Sequence, residues 1–288
     1  MLFHRSLLAL LSVLLPTTFS AAEEYPLPSD INTSVPGHSG MVYLNLLRQL
    51  VPDLEPNETI ARGSLTAPVR HVLGSLSGSG RMTNFPDRIT IGSFQTGAGF
   101  FEGEARMLIL ASLSSANAHE APTLLITYSD NDKPKLADVV DVALSETVRF
   151  GTPQPVTIGP KDQLVVATSQ RNDGDVTELT DVMMFMHHGK FESFGIVART
   201  EKVGCGFEWT QPIAIAAQKP STPGPYDDIK VTITDTGALI ENGCSQSWGV
   251  PPFAKSYSAL FQWDPAHDEF VADMSELDSL KAISDARF

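Results

Sequence analysis

Side chains that commonly bind metal ions or transfer protons are grouped in three polar segments of this sequence, each next to apolar runs. The groups are Asp130, Asp132 and Asp138; His187 and His188; and Asp264, His267 and Asp268. Carboxylates and imidazoles that meet at one edge of a protein can hold a divalent cation or act as general acid and base. The alternative is that they belong to solvated hairpin turns, where aspartate is common because its side chain bonds to the turn backbone.

The first group has its carboxylates at positions 1, 3 and 9 of the segment 130–138. In this spacing it resembles the calcium loops of FG-GAP repeats in integrin-like propellers. It differs from them at position 5, where Pro134 stands in place of Asp or Asn, and at position 6, where Lys135 stands in place of Gly. The resemblance implies calcium as the ion, with Asp130, Asp132 and Asp138 as its ligands.

Two cysteines and two tryptophans form a second feature. Cys205 and Cys244 have no other cysteine or histidine at the spacing of a zinc site, so we expect them to form a structural disulfide in an oxidising compartment. Trp209 and Trp248 each follow one cysteine by four residues, so the disulfide would bring the two rings together. The rings are either an aromatic platform for a sugar or peptide, or packing around the disulfide.

The first residues predict a signal peptide. Arg5 precedes the apolar run Ser6–Leu15, and the small residues of Ser20–Ala22 offer a cleavage site before Glu23. The run is shorter than the roughly 20 residues that a membrane-spanning helix needs. We therefore expect residues 1–22 to be removed and the mature protein to be periplasmic or extracellular, without membrane insertion.

The composition argues against nucleic acid as a partner. The chain carries 34 Asp and Glu against 20 Lys and Arg, a formal charge of −14, and such a chain is a poor ligand for the phosphates of nucleic acids. An apolar content of 42% is too high for a wholly disordered chain. The sequence also lacks a P-loop and an H-E-x-x-H zinc motif.

The elements that must position these groups are predicted to be strands. From Arg88 onward, short apolar segments recur between Gly, Pro, Asn and Asp, which is typical of an all-β protein. The runs 107–110, 164–166 and 182–186 lack alternation, which indicates strands covered on both faces. The pattern predicts a three- or four-strand meander that recurs in three copies, beginning near residues 108, 164 and 229. Repeated antiparallel meanders favour a small propeller-like fold, with a two-sheet β-sandwich as the alternative.

Two short helices flank the strands in this prediction. Residues 41–51 have apolar side chains at helical spacing and are followed by Pro52, and residues 275–287 form a second amphipathic segment. The predicted organisation is a signal peptide (1–22), an irregular lead-in (23–87) that contains the first helix, and a single β-rich domain (88–288).

Two functions remain open on the sequence alone. The first is an exported, non-catalytic β-module that binds a protein, glycan or envelope ligand through loops at one edge. The second is a secreted hydrolase that uses carboxylates or His187 and His188, with or without a metal. Neither requires an organic cofactor, and a divalent cation is the one cofactor that the polar turns could hold.

Overall fold

The computed structural model describes residues 23–26, 31–56, 61–66, 69–72, 88–113, 122–144, 147–151, 155–220, 223–240 and 251–287. These residues form two antiparallel sheets and two short helices. The predicted signal peptide and the residues Cys244 and Trp248 lie outside the described residues. Within them, neither helix is long and apolar enough to cross a bilayer.

The first sheet is built from the N-terminal half of the chain, and its strands follow the order β2-β3-β5-β6-β7-β8-β4, with β1 also paired to β5. All of its pairings are antiparallel except that of the edge strand β4 with β8. The strands are β1 (Glu23–Pro26), β2 (Glu55–Pro56), β3 (Ala61–Ser64), β4 (Arg70–His71), β5 (Arg88–Phe101), β6 (Glu104–Leu113), β7 (Thr123–Ser129) and β8 (Leu136–Asp141).

The second sheet follows the order β10-β11-β12-β13-β14-β16-β17-β18, with β9 paired to β11 and β15 paired to β16. Its strands are β9 (Thr147–Phe150), β10 (Val156–Thr157), β11 (Gln163–Asp173), β12 (Val176–His187), β13 (Lys190–Gly204), β14 (Phe207–Thr210), β15 (Ile213–Gln218), β16 (Asp228–Leu239), β17 (Phe253–Asp264) and β18 (Glu269–Ala272). The helices are α1 (Tyr43–Leu50), which packs on the first sheet, and α2 (Ser275–Asp285), which packs on the second.

The apolar runs without alternation are strands buried on both faces, as the sequence predicts. Along β6, Leu108 faces a core shared by the two sheets, whereas Ile109 faces the core beneath α1. Along β12, Met184 faces the shared core, whereas Phe185 faces the core that α2 closes. Because successive side chains of a strand point to opposite faces, a strand between two cores must be apolar at every position.

The all-β class and the two short helices are confirmed, and the alternative of two packed sheets describes the arrangement. Within the described residues the meanders do not form the separate blades of a propeller. The reason is that β13, β14 and β16 hydrogen-bond in sequence, which joins the second and third meanders into one continuous sheet. The segment 23–87, which the sequence predicts to be irregular apart from a helix, supplies α1 and the strands β1–β4.

Candidate functional site

Two of the three predicted polar groups meet at one rim of the second sheet. The turn between β12 and β13 carries His187 and His188, and the turn between β17 and β18 carries Asp268. Within the described residues, His187, His188 and Asp268 are the group of three ligand-type side chains whose ligand atoms all lie within 4.8 Å of one another. We refer to these three residues as the His–Asp set.

The two imidazoles of the His–Asp set converge on one carboxylate oxygen. The Nε2 atoms of His187 and His188 each lie 3.4 Å from Oδ2 of Asp268. The two imidazole rings are 4.0 Å apart between centroids. The side chain of His187 is only 13% exposed, whereas those of His188 and Asp268 are 78% and 56% exposed. The set is therefore anchored in the fold on one side and open to solvent on the other.

The two 3.4 Å separations match nitrogen–oxygen edges of a tetrahedral metal site. An ion with ligand bonds of about 2.0–2.1 Å in tetrahedral geometry holds its ligands roughly 3.3–3.4 Å apart. Imidazole nitrogen and carboxylate oxygen are both common ligands of Zn²⁺. Three protein ligands would leave a fourth position for water or another molecule.

His187 is oriented by its neighbours in a way that suits a ligand. Its ring packs against Phe185 and Trp263, with centroid distances of 5.6 Å in both cases. Its Nδ1 atom lies 3.6 Å from Oε2 of Glu192 on the next strand. A carboxylate beside the second nitrogen of a ligating histidine commonly fixes the orientation and tautomer of the ring. Nε2 is thereby left to face Asp268.

The backbone around the set is held in an unusual conformation. Three non-glycine residues in the described part of the chain have a positive φ: Glu102 (52°), His188 (51°) and Asp268 (61°). His188 and Gly189 form the two-residue turn between β12 and β13, and Glu102 and Gly103 form the one between β5 and β6. Positive φ at both turn positions is the type I′ hairpin turn, which favours Asn, Asp or Gly first. Histidine and glutamate are less favoured than Asn, Asp or Gly at this position.

Glu102 links the two turns directly. Its carboxylate oxygens accept hydrogen bonds from the backbone N–H of Gly189, with distances of 3.0 and 3.1 Å. Its own backbone N–H donates to Oδ1 of Asp162 at 2.7 Å. Glu102 thus fixes the turn that carries His188, although the first sheet supplies it. Sequence reasoning missed Glu102 and Glu192, and the only signal for Glu102 was a Glu-Gly pair between two strands.

Several carboxylates lie close to the rim. Burial raises the pKa of Asp162 above its usual range, and the neighbouring charge of Glu102 raises it further. Burial also raises the pKa of the Tyr226 hydroxyl to about 12, assisted by the negative charges of Asp162, Glu102, Asp268 and Glu192. Burial is the largest cause of this shift in the pKa of Tyr226, and the four carboxylates add to it. Their negative charges attract cations to the rim.

The remaining members of the third group pair with each other. Nδ1 of His267 lies 2.6 Å from Oδ2 of Asp264, and this hydrogen bond raises the pKa of His267 and lowers that of Asp264. Asp264 also accepts the backbone N–H of Ala266, at 2.8 Å. Both residues therefore shape the turn that presents Asp268.

The first group does not assemble into a calcium loop in the described structure. Asp130 lies 2.8 Å from Nε2 of His38, and Asp132 is exposed. Oδ2 of Asp138 accepts hydrogen bonds from Arg70 at 2.6 Å and from the backbone N–H of Phe191 at 2.8 Å. The three carboxylates do not form a group of neighbouring ligands, and two of them are held by other partners.

Trp209 is a packing residue, which was the alternative to a binding platform. It is 7% exposed, and its indole N–H donates to Oδ1 of Asp235 at 2.6 Å. The guanidinium of Arg287 lies 3.8 Å from its ring centroid. Because Cys244 and Trp248 lie outside the described residues, the disulfide with Cys205 and the pairing of the two tryptophans stay predictions.

No family model, curated protein or solved structure matches this chain, and its function is therefore inferred from the geometry of the rim.

Proposed function

We propose that this protein is an exported β-module that binds a divalent transition-metal ion, with Zn²⁺ favoured, through His187, His188 and Asp268. The convergence of two imidazole Nε2 atoms on one carboxylate oxygen, at 3.4 Å each, carries the proposal. A site with two nitrogen ligands selects zinc, copper or nickel over calcium and magnesium, which prefer oxygen. The N-terminal signal pattern supports export.

The surroundings of the His–Asp set support the same assignment. Glu192 lies beside the second nitrogen of His187, and Glu102 fixes the turn of His188. Such outer partners restrict ligand orientation and commonly affect metal affinity by about 10–100-fold. The carboxylates near Tyr226 add a field that draws cations to the rim.

Isothermal titration of the purified protein with Zn²⁺, after treatment with a chelator and its removal, tests the proposal. We expect one ion per chain and at least about a tenfold loss of affinity in Asp268→Asn, since a direct ligand should matter no less than an outer partner. Asp132→Asn is the matched control, because Asp132 is exposed and outside the set. Equal zinc binding by the protein and by Asp268→Asn would overturn the assignment, as would equal losses in both variants.

Metal-assisted hydrolysis is a second candidate, favoured by one observation. A site with three protein ligands keeps a coordination position open, as catalytic zinc sites do, and the metal lowers the pKa of a bound water. Zinc-dependent cleavage of a 4-nitrophenyl ester that is lost in Asp268→Asn and kept in Asp132→Asn would favour this role. Zinc binding without turnover of ester, phosphate or peptide substrates would contradict the hydrolase and favour the binding module.

A further inference from the structure

A cavity of about 490 Å³ lies beside the His–Asp set, where the two sheets meet. The edge strands β4 and β18 and the start of β13 border it. Three phenylalanines line it: Phe185, Phe194 and Phe270. Their rings pack against one another with centroid distances of 4.8 to 5.9 Å. The volume falls within the range of roughly 300–1,000 Å³ that is typical of small-molecule pockets.

The two basic residues of the wall are already engaged. Arg70 donates a hydrogen bond to Oδ2 of Asp138 at 2.6 Å. His71 lies 3.9 Å from Oδ2 of Asp141, and its Nε2 atom lies 3.2 Å from the carbonyl oxygen of Ala143. Asp138 therefore offsets the positive charge of Arg70, although the buried Nε atom of Arg70 has no hydrogen-bond partner within the described part of the chain and remains a donor in the wall.

The acidic residues of the wall are less compensated. Glu192 and Asp268 face only histidines, and Glu269 makes no ion pair with any described residue. The buried hydroxyl oxygen of Ser193, in the same wall, has no hydrogen-bond partner within the described part of the chain. The wall thus combines hydrogen-bond acceptors and negative charge with aromatic rings.

We infer that this cavity binds an organic cation, a primary ammonium group carried on an aromatic or branched aliphatic body. Carboxylates and a hydroxyl oxygen can each accept a hydrogen bond from an ammonium group, and phenylalanine rings attract cations to their faces. The apolar body of such a ligand would pack against Phe185, Phe194 and Phe270. An anion of the same shape would meet three carboxylates, so the charge of the ligand decides the recognition.

The inference does not require a bound metal, although Asp268 belongs to both sites. Because two cations would share this carboxylate, zinc and the amine should weaken each other's binding. That coupling must be reciprocal, with the same factor in both directions. The amine site is therefore tested in the presence of a chelator, so that free metal does not compete with the amine for Asp268.

Calorimetric titration with 2-phenylethylammonium in EDTA tests the inference, with 3-phenylpropionate as the matched anionic probe. We expect one amine per chain and no measurable binding of the propionate. Glu269→Gln should weaken amine binding by roughly tenfold, the loss expected for one charge-assisted hydrogen bond. Glu178→Gln should leave it unchanged, because Glu178 is an exposed residue of β12 and does not line the cavity.

The outcomes separate the two proposals. Equal binding of amine and propionate, equal effects of Glu269→Gln and Glu178→Gln, or no amine binding at all would overturn the organic-cation site. His188→Asn should abolish zinc binding and spare the amine, since His188 does not line the cavity. Amine binding without zinc binding would overturn the metal assignment alone, and the reverse result would overturn the cavity alone.

Discussion

Replacing His188 with asparagine should separate the metal site from the stability of the fold, because the two change in opposite directions. His188 and Gly189 have φ values of 51° and 73°, the conformation of a type I′ turn. Asn-Gly is one of the pairs that this turn favours most. The left-handed conformation costs an ordinary residue about 1–2 kcal/mol, and histidine avoids only part of that cost. We expect His188→Asn to raise the free energy of unfolding by about 0.5–1 kcal/mol when metal is absent.

The same variant removes one of the two imidazoles that face Asp268. At a zinc concentration about 100 times the Kd, binding to the native state alone stabilises a protein by about 2.7 kcal/mol. For a protein of this size each kcal/mol shifts the Tm by about 2–4 °C, so zinc should raise the wild-type Tm by about 5–11 °C. In His188→Asn this rise should be absent, while the Tm in EDTA should exceed that of the wild type by about 1–4 °C.

Differential scanning calorimetry of both proteins, in EDTA and in excess zinc, measures all four quantities. His188→Ala is the matched control, because alanine removes the imidazole and offers no turn preference. It should lose the zinc response without gaining stability in EDTA. A full zinc response in His188→Asn would refute the ligand role of His188, and a lower Tm in EDTA than that of the wild type would refute the account of the turn.

Three further predictions concern residues that hold the rim and its scaffold. Glu102→Ala should lower zinc affinity about tenfold by freeing the turn of His188, whereas Glu102→Gln, which keeps one accepting oxygen, should retain most of it; similar losses in the two titrations would point to charge instead of the hydrogen bond. Asp181→Asn should destabilise the fold by about 3–5 kcal/mol in urea denaturation, because the 1% exposed Asp181 is hydrogen-bonded to the buried guanidinium of Arg199. Asp175→Asn, at an exposed ion pair, should change stability by less than about 1 kcal/mol, and comparable effects would contradict the importance of burial. The backbone hydrogen bond that Asp273 accepts at the start of α2 lowers the pKa of Asp273. The ionised Asp273 therefore contributes to stability above about pH 4, and this contribution is lost as the pH falls through the depressed pKa. NMR titration of the Asp273 side chain should place its midpoint below that of an unstructured aspartate, and a midpoint at or above about 3.9 would contradict the role of this hydrogen bond.

The sequence was informative wherever burial determines residue type. The runs 107–110 and 182–186 could be assigned to strands between two cores because no polar side chain interrupts them. Residue types alone could not distinguish the separate blades of a propeller from a continuous sheet. That choice depends on the pairing of β14 with β16, and backbone hydrogen bonds leave little trace in side-chain type.

The candidate site was only partly predictable for a similar reason. Polar turns from two successive meanders do share a rim, and His187, His188 and Asp268 were therefore anticipated as neighbours. Asp138 was assigned to an ion, but its partner is Arg70, which comes from a segment that carries no strand periodicity. Glu102 acts on Gly189 across the two sheets, and contacts between distant turns cannot be derived from local spacing.

The conformations of three turns give the site additional physical support. Glu102, His188 and Asp268 are the described non-glycine residues with positive φ, and hydrogen bonds or short contacts connect all three turns. Strained backbone persists where the surrounding structure holds it, and it concentrates at binding sites. Burial raises the pKa of Tyr226, and the carboxylates of Asp162, Glu102, Asp268 and Glu192 at the same rim raise it further. Mutual repulsion among these carboxylates opposes folding, and a bound cation would reduce that repulsion. A cationic ligand should therefore stabilise the folded protein.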